Sequence, residues 1–280
     1  MKKRSIKKKI QGYRAVDGAG VSMVRVLNDA TMKEFDPFLM LDTFDSTDPH
    51  DYLAGFPTHP HRGMETVTYL IQGEIEHKDS LGNKGTIHSG ESQWMTAGSG
   101  IMHQEMPQAA DRMLGFQLWL NMPKKDKMAE PAYLEITQKM MPVAEKEKAK
   151  VRILSGDFDG LTGVKPRHIP ANIYDISILA GGQIDIPTKP NENVFVFLIE
   201  GDAVIDGQDI ACKTAVLFGE GDFITIASKP DAEVRVIFFS AEPLHESIAW
   251  GGPIVMNTND ELRKAFLELN QGTFIKHRPI

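Results

Sequence analysis

Residues 56–106 decide the fold of this chain and read FPTHPHRGMETVTYLIQGEIEHKDSLGNKGTIHSGESQWMTAGSGIMHQEM. Short runs of β-branched and aromatic residues in this stretch, such as residues 66–71, are bounded by glycine and polar turns. Similar runs occur at residues 113–120 and 194–199, and helical periodicity is scarce. Closely spaced, short strand signals of this kind are typical of a β-sandwich or a β-barrel. We therefore expect an all-β chain.

An internal repeat indicates two such barrels in tandem. Residues 69–74 (YLIQGE) align with residues 197–202 (FLIEGD), and each is a strand followed by a glycine bend and an acid. Each copy continues with a second glycine–acid pair and a strand-like run, at residues 90–97 in the first copy and 221–227 in the second. Self-similarity of this kind is the mark of repeated structural units. We expect two jelly-roll-like β-barrels.

The repeat also predicts the domain boundaries. The first barrel is expected over residues 1–122 and the second over residues 151–280. Residues 123–150 are rich in lysine, glutamate and methionine without a strand pattern, so we interpret them as the connection. One helix is predicted near the C-terminus, where residues 257–260 supply capping side chains and Gly272 ends the run. Three apolar residues share one face of this helix: Leu262, Phe266 and Leu269.

The composition disfavours several classes of protein. The net charge of -7, from 38 acidic and 31 basic residues, opposes direct binding to nucleic acid. The one basic run, at residues 2–9, is interpreted as a solvated leader ahead of the first strand. No secretory signal or membrane-spanning stretch is recognisable, and the single cysteine, Cys212, fits a reducing compartment. We expect a cytoplasmic monomer that binds neither nucleic acid nor membranes.

Two short clusters carry the chemistry of the chain. Three of the nine histidines lie in the segments His59-Pro60-His61 and His103-Gln104-Glu105. Residues i and i+2 of a strand project from one face, so each cluster presents two donors to a common point. Imidazole and carboxylate donors together suit iron, manganese, nickel, cobalt, copper or zinc better than magnesium or calcium. The two clusters predict one divalent metal ion between facing strands.

Residues 56–106 resemble the pirin family along their whole length, and the resemblance extends upstream through residues 36–42. Pirins are double cupins with a single metal ion, usually iron, in the N-terminal barrel. The resemblance implies four metal ligands: His59, His61, His103 and Glu105. It also implies iron as the native metal, with nickel, cobalt, manganese, copper and zinc as the alternatives that the same donors accept.

Glu65 is the alternative carboxylate. In the broader cupin pattern, a glutamate four residues after the second histidine is a ligand, and Glu65 stands at that distance from His61 with the same strand parity. The pirin resemblance favours Glu105 over Glu65 as the fourth ligand. Glu65 is then expected behind the ligands, as a buried acid that makes hydrogen bonds.

The other histidines and the aromatic residues have ordinary explanations. Six histidines lack a partner at ligand spacing, so surface or turn positions are expected for them: His50, His77, His88, His168, His245 and His277. Six large residues are expected mainly in the barrel core, with walls of a substrate pocket as the alternative that some of them could also serve: Phe44, Phe56, Met64, Met102, Phe116 and Trp119. No histidine occurs between His168 and His245, so the second barrel is expected to be metal-free and to support the first.

The pirin resemblance implies quercetin 2,3-dioxygenase activity, in which dioxygen opens a flavonol and carbon monoxide is released. Four protein ligands on an ion that prefers six would leave two positions for a small aromatic substrate and dioxygen. Glu105 is expected to accept the proton of the substrate hydroxyl, with Glu65 as the alternative acceptor. The other class of function left open is a metal- or redox-sensing protein that binds transcription regulators or metabolic enzymes without turnover.

Overall fold

The computed structural model describes residues 1–277. Over this range it contains 26 β-strands and one α-helix, which confirms the predicted all-β architecture with a C-terminal helix. The first twelve strands are β1 (Ile6–Gln11), β2 (Tyr13–Asp17), β3 (Val21–Leu27), β4 (Phe38–Ser46), β5 (Phe56–His61), β6 (Met64–Gln72), β7 (Glu74–Asp79), β8 (Lys84–His88), β9 (Ser92–Thr96), β10 (Ile101–Pro107), β11 (Met113–Asn121) and β12 (Ala132–Ile136).

The remaining elements follow in chain order: β13 (Val143–Glu145), β14 (Ala149–Ser155), β15 (Asp157–Phe158), β16 (Leu161–Thr162), β17 (Asn172–Ile178), β18 (Gln183–Pro187), β19 (Asn193–Glu200), β20 (Ala203–Ile205), β21 (Gln208–Ile210), β22 (Thr214–Phe218), β23 (Phe223–Ser228), β24 (Val234–Ala241), β25 (Ala249–Gly251), β26 (Ile254–Met256) and α1 (Asn259–Asn270). Short 3-10 helices lie at Pro49–Asp51, Lys124–Asp126 and Gln138–Met140.

The chain divides into two compact units whose boundaries differ from the predicted ones. Barrel 1 consists of Arg14–Thr137 with the chain from Leu244 onward, and barrel 2 consists of Met1–Tyr13 with Gln138–Pro243. The N-terminal segment therefore belongs to barrel 2 and the C-terminal segment to barrel 1, because β1 pairs with β22 and the C-terminal segment contacts Arg62 at the end of β5. Both partners lie far away along the chain, where local sequence patterns give no guide.

Barrel 1 is built from two antiparallel sheets. Its seven-stranded sheet has the order β12-β9-β6-β11-β4-β3-β2, and its four-stranded sheet has the order β5-β10-β7-β8. Side chains from both sheets meet in one cluster that includes Val21, Phe44, Leu70, Ile75 and Ile87, each at most 5% exposed. Burying these side chains on the inner faces of the two sheets stabilises the sandwich.

Barrel 2 repeats this plan with an apolar interior. Its sheets have the orders β1-β22-β19-β24-β17-β14-β13 and β18-β23-β20-β21. The inward positions of β18 and β23 are occupied by isoleucines within the buried core: Ile184, Ile186, Ile224 and Ile226. These strands correspond to β5 and β10 of barrel 1, which carry the histidine clusters.

The sheet orders test the predicted repeat. The strand pair β6 and β7 occupies the same place in barrel 1 as β19 and β20 in barrel 2, so the alignment of residues 69–74 with 197–202 is confirmed. The alignment of the second glycine–acid pair is wrong by one strand. Residues 92–96 form β9, whose counterpart is β22, whereas residues 223–228 form β23, the counterpart of β10. A glycine–acid pair precedes both kinds of strand, so this short motif does not fix the register.

Two segments interpreted as unstructured are strands. The predicted connection at residues 123–150 contains β12, which pairs with β9, and β13, which pairs with β14. The basic run at residues 2–9 includes most of β1, the edge strand of the large sheet in barrel 2, where Lys7, Lys8 and Lys9 are exposed. Lysines on an exposed edge discourage pairing with another chain. Arg4 is 2% exposed and donates to the carbonyl oxygens of Lys189 and Gly219.

The C-terminal helix begins and ends as predicted. Thr258 caps α1, its hydroxyl accepting from the Glu261 amide while the Glu261 carboxylate accepts from the Thr258 amide, and Gly272 follows the helix with a φ of 70°. The helix is 12 residues long, and no helix within residues 1–277 is long and apolar enough to cross a membrane. Arg62 ties the C-terminal segment to the end of β5 through Glu268 at 2.8 Å and the Phe274 carbonyl at 2.8 Å.

Candidate metal centre

Three predicted ligands come together between β5 and β10. These strands are antiparallel neighbours, and His59 lies directly opposite His103 in their register, while His61 lies opposite Ile101. β5 carries Pro57 and Pro60 and is the edge strand of its sheet, where a missing N–H is tolerated. The candidate ligand nitrogens of His59, His61 and His103 all lie within 4.8 Å of one another.

Backbone carbonyls fix the tautomers of two of these histidines. The Nδ1 atom of His59 is 2.9 Å from the Pro57 carbonyl oxygen, and Nδ1 of His61 is 3.0 Å from the Pro253 carbonyl oxygen. A carbonyl oxygen can only accept, so each Nδ1 must carry the proton and each Nε2 must present a lone pair. The two Nε2 atoms face each other at 3.0 Å.

This arrangement fits a metal ion. Two facing lone pairs repel unless a proton or a cation lies between them, and burial with the neighbouring His59 lowers the pKa of His61 to about 3, which disfavours the proton. Two donors at right angles around an ion, each at about 2.1 Å, would be about 3.0 Å apart. Neither ring nitrogen of His103 has a hydrogen-bond partner within residues 1–277, although the side chain is 1% exposed. A bound ion would take up one nitrogen of each of the three imidazoles.

Glu105 lies beside the three histidines and outside their immediate group. Its side chain is 3% exposed and lines the same cavity as His59 and His61. The carboxylate accepts hydrogen bonds from Gln93 at 2.5 Å and from Gln117 at 2.7 Å. Its role as the fourth ligand stays a prediction.

The structure places Glu65 on a different face from the one its spacing suggested. The strand stops after His61, and Gly63, with a φ of 75°, turns the chain before β6 begins. Glu65 is fully buried, and its Oε1 accepts from the Thr96 hydroxyl at 2.7 Å. Because side chains alternate along β6, Glu65 faces away from Thr68, whose hydroxyl reaches Glu105 at 3.1 Å. The expected parity was wrong because the turn at Gly63 interrupts the strand.

His77 is the second correction. It was expected at the surface, but it is fully buried in β7, directly opposite Glu105 in the register of β10. Its ring stacks on Tyr133 with centroids 4.5 Å apart and lies 5.3 Å from the ring of His103. Nε2 of His77 is 3.2 Å from the Asp79 carboxylate, which holds the ring beside His103. The sequence could have indicated this position, because His77 and Asp79 share the strand face of the apolar residue Ile75.

A cavity of about 690 Å³ opens onto His59 and His61. Three of the residues expected mainly in the core lie on its wall, namely Phe44, Phe56 and Trp119, while Met64 and Phe116 are fully buried. Trp250 and Pro253 of barrel 1 also line the cavity, and neither stood out in the sequence. The cavity therefore combines an aromatic lining with the metal-capable nitrogens.

Tandem barrels of this topology, with one histidine cluster on neighbouring strands, define the chain as a double cupin. Family models described as Pirin and as Pirin C-terminal cupin domain match residues 20–120 and 173–275 respectively. The chain belongs to the pirin family. A pirin-like protein of Caulobacter vibrioides is 38% identical over 275 residues, which cover 97% of this chain and 99% of that protein.

Solved structures agree with this assignment. A crystal structure of quercetin 2,3-dioxygenase from Acinetobacter baumannii matches with a TM-score of 0.89 at 29% identity, covering 97% of this chain and 98% of that chain. The Escherichia coli pirin YhhW in complex with nickel(II) matches with a TM-score of 0.66 at 24% identity, covering 84% of this chain and 99% of that one. The second likeness shows the shared fold.

The metal-free protein should lose stability on acidification. Burial, then the neighbouring His59, lowers the pKa of His61 from 6.5 to about 3. The unfolded chain therefore binds a proton at this residue between about pH 6.5 and pH 3 that the folded chain does not bind, so the free energy of unfolding falls as the pH falls through that window. We expect His61→Gln to flatten the profile measured by urea denaturation. The exposed His88→Gln variant should keep the wild-type slope, and an equally steep profile for His61→Gln would contradict the assignment.

Proposed function

We propose that the protein is a metal-dependent dioxygenase of the quercetin 2,3-dioxygenase type, with iron as its native metal. The observation that carries the proposal is the pair of facing Nε2 atoms of His59 and His61 on the wall of an aromatic cavity. The likeness to the Acinetobacter baumannii quercetin 2,3-dioxygenase over almost the whole chain supports it. The single cysteine, Cys212, fits a reducing compartment such as the cytoplasm.

His59, His61 and His103 would hold the ion, and Glu105 is proposed as the fourth ligand. When bound, the ion supplies Lewis-acid polarisation of a substrate hydroxyl and a binding position for dioxygen. The carbonyls of Pro57 and Pro253 hold the two Nδ1–H groups, so both Nε2 lone pairs would be free to coordinate the ion. Burial lowers the pKa of His103 well below its ordinary value and so keeps this imidazole neutral and able to coordinate.

The cavity walls suit a flat aromatic substrate. Pockets for small ligands commonly have volumes of about 300–1,000 Å³, and this cavity, at about 690 Å³, lies within that range. Trp119 packs edge-on against His61 with centroids 4.9 Å apart, and Trp250 lies 6.0 Å from Trp119. These indoles, with Phe44 and Phe56, would contact the rings of a flavonol, while Glu105 would accept the proton of its hydroxyl group.

The test is direct. Iron-loaded protein mixed with quercetin in air is expected to remove the flavonol absorption band and to release one carbon monoxide for each quercetin consumed. Metal-free protein and the His59→Ala variant are the controls and should show neither change. Iron-loaded protein that binds quercetin without consuming it would contradict the dioxygenase proposal. That outcome would favour the alternative of a metal-sensing protein that binds a regulator or an enzyme.

A further inference from the structure

The carboxylate of Glu105 is held by three neutral donors. Oε1 accepts from the Gln93 amide at 2.5 Å and from the Thr68 hydroxyl at 3.1 Å, and Oε2 accepts from the Gln117 amide at 2.7 Å. These donors come from three strands of the large sheet of barrel 1, β9, β6 and β11, whereas Glu105 comes from β10 of the small sheet. The carboxylate therefore joins the two sheets across the interior of the barrel.

Both glutamine amides are themselves oriented by a second partner. The indole N–H of Trp119 donates to Oε1 of Gln117 at 3.0 Å, and the hydroxyl of Tyr133 donates to Oε1 of Gln93 at 3.3 Å. An amide whose oxygen accepts one hydrogen bond must present its NH₂ group on the other side. Each glutamine is thus fixed with its donor end on Glu105, and a flipped amide would lose both contacts.

The three donors leave one open position on the carboxylate. An ionised carboxylate offers about four lone-pair positions, two on each oxygen. Gln93 and Thr68 occupy the two on Oε1, and Gln117 occupies one of the two on Oε2. The remaining position, on Oε2, can receive a metal ion.

We propose that Gln93 and Gln117 are positioning residues that turn the single open lone pair of Glu105 Oε2 toward the histidine group. This inference rests on the metal centre of the proposed function. Gln93 is fully buried and Gln117 is half-buried, in an interior where leucine would pack at lower desolvation cost. A coordinating carboxylate needs such hydrogen-bonded supports, because they fix which of its lone pairs reaches the ion.

The first measurement is Co²⁺ affinity, by competition with a chelator, together with the visible absorption of the Co²⁺-loaded protein. Gln117→Leu and Gln93→Leu should each bind Co²⁺ about 10- to 100-fold more weakly and shift the absorption bands, because the carboxylate is no longer held in one orientation. Gln104→Leu is the matched control, since Gln104 lies on the same strand as Glu105 and contacts Thr58 at the exposed face. Its affinity should stay within about twofold of the wild type.

The second measurement is a double-mutant cycle with Glu105→Gln. If Gln117 acts through the carboxylate, Gln117→Leu should cause no further loss of Co²⁺ affinity in the Glu105→Gln background. The same fold-loss in both backgrounds would overturn the inference. Tyr133→Phe removes only a hydroxyl, so it keeps the ring stacked on His77 and tests the same idea with little risk to folding. Tyr133→Phe should weaken Co²⁺ binding in the wild-type background and leave the Co²⁺ affinity of the Glu105→Gln variant unchanged. No effect in the wild-type background would count against the inference.

Failure of the inference can be told apart from failure of the proposed function. If the wild-type protein binds no Co²⁺, that result would contradict both the proposed metal centre and the role of both glutamines. Wild-type protein that binds Co²⁺ but never consumes quercetin when iron-loaded would remove the dioxygenase proposal only. In that case the non-additive cycle would still support the positioning role of Gln93 and Gln117.

Discussion

Replacing His103 by alanine is expected to abolish retention of the metal ion and any oxygenase activity. His103 lies opposite His59 in the β5–β10 register. Its removal would leave only two of the three imidazoles that could hold the ion. Loss of a direct ligand should exceed the reduction of about 10- to 100-fold typical of changes behind the ligands. Elemental analysis of the purified, unheated variant measures the effect, and the wild type should contain one metal ion per chain.

The fold of this variant should survive. Neither ring nitrogen of His103 has a hydrogen-bond partner within residues 1–277, so truncation breaks no hydrogen bond among the described residues. Urea denaturation of the metal-free wild type and of the variant should show similar cooperative transitions. The exposed His88→Ala variant is the matched control and should retain the metal. Stoichiometric iron in His103→Ala would overturn the ligand assignment, and more than one ion per wild-type chain would contradict a metal-free barrel 2.

The fold could be predicted from the sequence wherever the evidence was local. Runs such as residues 66–71 show strand propensity by themselves, and Thr258 and Gly272 mark the ends of the helix by their own chemistry. The grouping of the N-terminal segment with barrel 2 and of the C-terminal segment with barrel 1 could not be predicted. It depends on contacts with residues far away along the chain. The basic run around β1 shows the same difficulty, because lysine on an edge strand and lysine in a solvated leader look alike.

In the candidate site, too, the local sequence pattern predicted some features and was wrong about others. The spacing of His59, His61 and His103 predicts the cluster, because i and i+2 parity holds within an uninterrupted strand. That parity failed for Glu65, since Gly63 turns the chain between the two positions. Strand parity therefore does not predict which face a side chain occupies once a glycine turn intervenes, even when the hydrophobic pattern continues.

Contributions from outside the motif could not be predicted. The Pro253 carbonyl fixes the tautomer of His61 at 3.0 Å, although the two residues are 192 positions apart. Gln93 and Gln117 could have been noticed as polar residues at inward positions of strongly apolar strands. Their hydrogen-bond partner, Glu105, lies on the other sheet, so this contact could be recognised only in the folded structure.

Comparison of Glu105→Gln with Glu65→Gln decides which carboxylate serves the metal. Glu105→Gln should weaken metal binding at least about tenfold and remove the proposed proton acceptor. It removes the charge, and it also places an NH₂ group against the donor end of either Gln93 or Gln117. Glu65→Gln should retain the metal within about twofold, because an amide oxygen can still accept from Thr96 on the far face of β6. Metal affinity measured by chelator competition and quercetin consumption are the two readouts.

The alternative outcomes would change the proposed function in different ways. Metal loss in Glu65→Gln alone would restore the general cupin arrangement and require β6 to rearrange around the ion. Equal loss in both variants would indicate that both carboxylates coordinate, leaving a single open position on an ion that prefers six ligands. Substrate and dioxygen could then not bind the ion together. Because room for both is the principal physical argument for turnover, that result would favour the regulatory alternative over the dioxygenase.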